Sequence, residues 1–224
     1  MDLKQSNLRI ERWTLDLGRW TFPLMRASSP PMRAFTLIEL LVVISIIAVL
    51  MGLAFPVFQG VQNTAKKTQA KNDLVQIVTA VNAFYTEYGK YPLPTGTTTD
   101  FIYGPGGTPN ATLFDELRGL QTAAQNPKQI VFISPPDAKD SANPKSGIGT
   151  TTGPGQFFDP WGMPYAIEID GNYDNQIDPN PYSSNAGAAK VRNGVIAWSL
   201  GKDGRGGSGN KNAGDGKDDV ISWQ

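Results

Sequence analysis

Cysteine and histidine are both missing from this 224-residue chain. Without cysteine there is no disulfide framework, no thiolate nucleophile and no thiolate metal site. Without histidine, the commonest general base and the usual zinc ligand are gone as well. No Gly-x-Ser-x-Gly elbow, phosphate-binding loop or paired-carboxylate site stands out, so enzymatic activity is not expected. Net charge is lacking too, with 20 Lys/Arg against 20 Asp/Glu. The balance is uneven along the chain, because the first 34 residues hold six of the bases and three of the acids. The remainder has 14 basic and 17 acidic residues, a net of −3, which argues against a nucleic-acid surface. Charge is scarcest between Arg33 and Lys66, where Glu39 is the one ionisable side chain.

That charge-poor stretch contains an apolar run, Phe35 to Phe55, of 21 residues. About 20 residues of helix cross a hydrocarbon core ~30 Å thick. Glu39 stands at the fifth position of the run, where an acid costs on the order of 2.5–3.5 kcal/mol on insertion scales, and less near an interface. A carboxylate persists there if a cation meets it, and the segment has none of its own. A free α-amino group, created by a cut just before Phe35, is one source; a signal-anchor helix with a stray acid near its end is the other reading. Arg26 and Arg33 lie on the N-terminal side of the run, which sets the N-terminus in the cytoplasm and the bulk of the chain outside. Residues 1–31 lack the compact apolar core and small-residue cut site of a secretory signal. Met32 is an alternative start that would make them an annotation artefact.

After Pro56 the chain turns polar but keeps a helical period to about Tyr88. Val57, Val61, Leu74, Ile77, Val78, Val81, Phe84 and Tyr85 form a stripe at spacings of three and four, with Lys66, Lys67, Lys71 and Asp73 expected on the wetted side. Pro56 is expected to kink rather than end the helix. Gly89 to Pro92 is a Gly-then-Pro stop. Residues 93–111 and 137–156 read as Pro/Gly-rich loops, and 112–123 as a short helix with Thr112 and Asp115 in a capping box. Strands are expected at 129–134, 164–170 and 194–200. The aromatic residues Trp161, Tyr165, Trp198 and Trp223 are expected to build a core. The fold class is therefore α+β, a long N-terminal helix packed on a small head with a short antiparallel sheet and a loop-rich C-terminus.

Two acidic stretches could carry chemistry. Four carboxylates fall within residues 203–219, on a backbone rich in glycine. Such a loop suits a hard cation such as calcium, which takes six to eight oxygens in irregular geometry; a solvated acidic tail has the same composition. Further back, Asp170, Asn172, Asp174 and Asp178 occupy relative positions 1, 3, 5 and 9 of a loop like the first part of an EF-hand. It lacks the glycine at position 6 and has Pro181 at position 12, and a turn held by Asn/Asp side chains explains the same letters.

The segment Arg33-Ala34-Phe35-Thr36-Leu37-Ile38-Glu39 resembles the prepilin signal of type IV pilins and type II secretion pseudopilins. The resemblance implies cleavage between Ala34 and Phe35 by a prepilin peptidase, N-methylation of Phe35, and Glu39 as the assembly acid that meets a neighbouring subunit's amino terminus. Ala34 departs from the family's usual glycine, and Pro56 matches its recurrent proline. The pieces Gly89-Lys90-Tyr91-Pro92, Asp159 to Tyr165, Ser199 to Gly204 and Asp219 to Trp223 look like the major pseudopilin, whose C-terminal loop binds calcium. On that resemblance the ligands are the Leu200 carbonyl, Asp203, Asp215 and Asp219, with Asp218 as an alternative. Residues 93–158 match little.

The implied organisation is a leader (1–34), a transmembrane and filament-core helix (35–55), its amphipathic continuation (56–88) and a periplasmic head (89–224). The implied function is a structural subunit of the pseudopilus that drives type II secretion. Its partners would be other copies of itself, the peptidase, the inner-membrane assembly platform, minor pseudopilins and, before assembly, lipid; no nucleic acid is expected. The other readings are a pilin or minor pilin in adhesion, motility or DNA uptake, and a membrane-anchored exported calcium-binding or lectin-like protein.

Overall fold

The computed structural model describes residues 35–187, 189–206 and 210–224. The expected leader, 1–34, with Ala34 before the cut, lies outside them. The chain divides into two compact units, one ending at Leu50 and one running from Met51 to Gln224.

Helix α1 spans Leu37–Tyr88. Its start is a capping box: the Thr36 N–H and hydroxyl both donate to Glu39 Oε2 at 2.8 Å, and the Glu39 N–H donates back to Thr36 Oγ1 at 3.3 Å. Its end is set by Gly89 at φ +66°, whose N–H donates to the Tyr85 carbonyl at 2.8 Å; a side chain at that φ would be strained. From Phe35 to Leu53 the apolar side chains are exposed. Among the described residues, α1 is the helix long and apolar enough to cross a membrane.

Within the second unit, Ala70, Leu74, Ile77, Val81 and Phe84 of α1 are buried, repeating at three and four. They join one core with helix α2 (Ala111–Leu117) and one face of a sheet. Complete burial of each large side chain contributes on the order of 2 kcal/mol. The sheet has antiparallel order β1 (Phe101–Tyr103), β4 (Ala166–Ile169), β5 (Val195–Ser199), β6 (Val220–Ile221). A second ladder pairs β2 (Gly147–Ile148) with β3 (Phe157–Phe158). In β4 and β5 every residue is buried. Ile167, Ile169, Val195 and Ala197 face the α1 side, while Ala166, Ile196 and Trp198 face a second cluster with Ile177, Tyr182, Ala186, Val191 and Ile221. The sheet is thus covered on both faces, which is why β5 is apolar up to Ser199 and β4 is apolar but for Glu168.

Buried polar side chains organise the connections. Asp159 is fully buried; its Oδ1 accepts the N–H groups of Trp161, Gly162 and Met163 at 2.7–2.9 Å, and its Oδ2 accepts the Ser199 hydroxyl at 2.6 Å. Burial pushes its carboxyl up from the ordinary value, and these bonds work against the shift. The turn from β3 to β4 is thereby tied to β5. Asn110 does the same between α2 and the strands, donating to the Phe157 and Tyr165 carbonyls and accepting the Phe157 N–H.

Five expectations are corrected. Residues 129–134 are not a strand; Asn126 holds that segment by accepting the Ile130 N–H and donating to the Ile130 and Glu116 carbonyls. The capping box at Thr112 and Asp115 does not form, since α2 begins after Asn110 and Thr112 donates to the Pro109 carbonyl. Helix α2 is also shorter than 112–123, ending at Leu117. The stretches 93–111 and 137–156 are not wholly loop, for they contain β1 and β2. Lys71 and Asp73 are not on a wetted side of α1: the Lys71 ammonium donates to the Ile221 carbonyl at 2.7 Å and to Gln224, and Asp73 accepts the Tyr165 hydroxyl at 2.8 Å. The expected aromatic core is present, with Tyr165 and Trp198 buried and Trp161 and Trp223 packed against them.

Candidate functional site

Three regions hold the residues singled out by the sequence, the first in one unit and the other two in the second. In the first, Phe35 is 79% exposed and Glu39 caps the first turn of α1. Thr36 is the partner the sequence reading missed. Its signal was legible as Thr36-x-x-Glu39 immediately before an apolar run. The capping box satisfies two donors at the helix start and holds the carboxylate at the N-terminal end of α1, where the helix dipole favours negative charge. An approaching ammonium would meet an acid already oriented.

The second region follows β5. Gly201 sits at φ +65°, and a Cβ there would come within 2.6 Å of the Asp218 carbonyl oxygen, so only glycine lets the two chain segments cross so closely. The crossing brings Asp203, Asp218 and Asp219 together, with carboxylate oxygens within 4.8 Å of one another. Asp218 Oδ2 accepts the N–H groups of Lys202 and Asp203, and Asp203 Oδ1 accepts the Arg205 N–H. Asp219 is 2% exposed and its Oδ2 accepts the Tyr182 hydroxyl. Leu200, at the end of β5, is buried. Asp215 is exposed in the 3-10 turn Gly214–Lys217 and is not a member of the three-carboxylate group. Lys211 is a nearby cation: burial and Lys67 push its ammonium down, while Asp219 and Asp218 push it up. The donors are hard oxygens on a sharply folded backbone, the chemistry that calcium takes.

The other acidic stretch is organised as a turn. Asp170 accepts the N–H groups of Tyr173 and Asn175 with its two oxygens, both at 2.6 Å. Asn172 accepts from Asp174, and Asp174 from Gln176. Asp178 pairs with Lys190 at 2.7 Å. Tyr173 and Asn175 both have positive φ, a conformation that these Asx bonds hold.

A comparison with known protein families bears on the first region. Residues 31–55 match the family model described as the prokaryotic N-terminal methylation motif. The chain therefore carries a prepilin-type N-terminal segment. It is also similar to the type IV major pilin protein PilA of Myxococcus xanthus (strain DK1622), 41% identical over 57 residues. That stretch is 25% of this chain and 26% of the relative, so the chain spans about a quarter of the length of the curated relative it matches. No solved structure matches.

Proposed function

We propose that the chain is a structural subunit that is stored in the inner membrane through the 35–55 helix and assembles into a filament by packing those helices together. The observation that carries this reading is the methylation motif at residues 31–55, on a helix whose apolar side chains are exposed and whose acid sits in the first turn. Packing the helices in a bundle removes that surface from water or lipid, and a Glu39–amine contact between copies sets the register. Of the two filament types, the four C-terminal pieces that look like the major pseudopilin favour a type II secretion pseudopilus, with the head in the periplasm. Similarity to a type IV major pilin supports the second reading, a pilus subunit. Mass spectrometry of the mature N-terminus tests the common part. The expected result is a chain that begins at Phe35 and carries one methyl group; a membrane-resident chain that retains Arg33 and Ala34 would overturn it.

Calcium belongs to the same proposal. Asp203, Asp218 and Asp219, with the Leu200 carbonyl, would hold the ion and rigidify the loop between β5 and β6, while Asp215 lies outside the group. A ligand that binds only the folded state at a hundredfold excess over its dissociation constant stabilises by about 2.7 kcal/mol. For a domain of this size that raises the unfolding temperature by roughly 5–10 °C. The expected outcome is such a rise on adding calcium, reversed by chelator and lost in Asp218→Asn. An Asp218→Asn variant with an undiminished rise would remove this site from the account.

A further inference from the structure

Where α1 ends, three tyrosines stack in series. The rings of Tyr85 and Tyr91 lie 4.6 Å apart at 26°, and those of Tyr91 and Tyr173 lie 5.6 Å apart at 24°. Tyr91 is buried, but Tyr85 is 40% and Tyr173 50% exposed, so both outer rings present surface to solvent. Tyr173 is held there against its own backbone preference. Its φ is +61°, an outlier for a bulky side chain that costs on the order of 1–3 kcal/mol. Asp170 fixes the backbone by accepting the Tyr173 N–H at 2.6 Å, and the Tyr173 hydroxyl is fixed by the Tyr91 N–H at 3.1 Å. A half-exposed ring contributes little burial to offset the strain, so core packing does not account for the arrangement.

Tyr91 and Tyr173 line a cavity of about 250 Å³, whose other walls include Lys90, Thr97 and Gln125. The polar groups there are partly committed in a useful way. Gln125 Nε2 donates to the Leu93 carbonyl at 2.7 Å, which fixes the amide and leaves its oxygen as an acceptor. Thr97 donates its hydroxyl proton to the Pro94 carbonyl at 2.7 Å, and its oxygen also remains an acceptor. Neither ion pair found among the described residues involves Lys90, and its side chain is exposed, a donor available to a ligand.

We propose that this cavity is a saccharide-binding site that takes a single pyranose ring. The chemistry fits on three counts. A pyranose has an apolar C–H face that stacks on a tyrosine ring, and hydroxyls that need acceptors and donors at its edge. The fixed Gln125 and Thr97 oxygens receive hydroxyl protons, and the Lys90 ammonium donates to ring or carboxylate oxygens, so a uronic acid is favoured over a neutral sugar. The volume is below the roughly 300–1,000 Å³ of sites for drug-sized ligands, a size that suits a single ring. The inference stands independently of the filament reading, because none of these residues belongs to the 35–55 segment.

Saturation-transfer NMR on the full chain in phospholipid nanodiscs tests the site. The probes are the methyl glycosides of glucose, galactose, N-acetylglucosamine and glucuronic acid at about 10 mM, a concentration suited to millimolar affinity. The expected result is saturation of the ring protons of at least one glycoside, strongest for the glucuronide. The signal should fall about fivefold or more in Tyr173→Ala and survive in Tyr173→Phe, which keeps the ring. Lys90→Ala, at an exposed position, should abolish the preference for the glucuronide. No saturation of any of the four glycosides would overturn the proposal. So would an equal signal in Tyr173→Ala with unchanged far-ultraviolet circular dichroism.

Discussion

Glu39→Ala is expected to abolish filament assembly while leaving membrane insertion intact. An acid at this depth costs on the order of 2.5–3.5 kcal/mol at a helix centre and less near its end, so removing it makes insertion easier. On the proposed reading, what it removes from the assembly is the contact that fixes one helix against the next. At about 2 kcal/mol per subunit contact, the elongation constant falls roughly thirtyfold, enough to empty the filament pool at ordinary subunit concentrations. Glu39 has a second role in the structure, as the acid of the capping box with Thr36. Glu39→Gln separates the two, since glutamine also serves at that position of a capping box but has no charge. Sheared filament yield, measured beside membrane content, is expected to fall to background in both variants. Normal yield from Glu39→Gln would assign the residue to helix capping alone.

The second large effect concerns stability. Glu168 lies in β4 between Ile102 and Ile196 on the neighbouring strands and is 4% exposed, with one carboxylate oxygen that has no hydrogen-bond partner. Burial, with a smaller contribution from the Asp100 charge, pushes its carboxyl up to about 7. In the unfolded chain it titrates near the usual glutamate value. Between those values the folded state holds a proton that the unfolded state has released, so stability falls as pH rises through that window. Below about pH 4.5 both states are protonated and the group contributes no pH dependence. The full shift corresponds to about 3 kcal/mol as an upper bound, at 1.36 kcal/mol per unit. Glu168→Gln is therefore expected to leave stability at about pH 5 little changed and to raise it by about 2 kcal/mol at about pH 8, or roughly 4–8 °C in unfolding temperature. Parallel pH profiles for the two proteins would show that Glu168 is not the group responsible.

Much of this architecture was legible in the sequence, and the parts that were not share a physical cause. Helix α1 could be read from Leu74, Ile77, Val81 and Phe84 at helical spacing and from the Gly89–Pro92 stop, and β4 and β5 from apolar runs bounded by turn residues. These are signals that a few neighbouring residues carry alone. The strands β1, β2, β3 and β6 are two or three residues long and exist because a partner strand is present, which no local window encodes. Residues 129–134 have strand letters, yet Asn126 takes the backbone groups of Ile130, and the Phe132 and Ile133 N–H groups donate to the Leu117 carbonyl. Lys71 and Asp73 looked like a wetted face because their partners, Ile221 and Tyr165, lie 150 and 92 residues away. The acidic tail shows the same division. That its carboxylates could gather was readable from composition, but the crossing of Gly201 over Asp218 decides that Asp218 joins Asp203 and Asp219 while Asp215 stays outside.

The central claim is that Glu39 of one copy meets the amino terminus of another. Carbodiimide cross-linking of filaments grown from a mixture of light and heavy-isotope chains tests it most directly, because this reagent joins a carboxylate to an amine only when they touch. The account predicts a mixed-isotope cross-link, read by mass spectrometry, between the Phe35 amine of one chain and the Glu39 carboxylate of another. Filaments that form normally and yield no cross-link between different chains at Glu39 would contradict it.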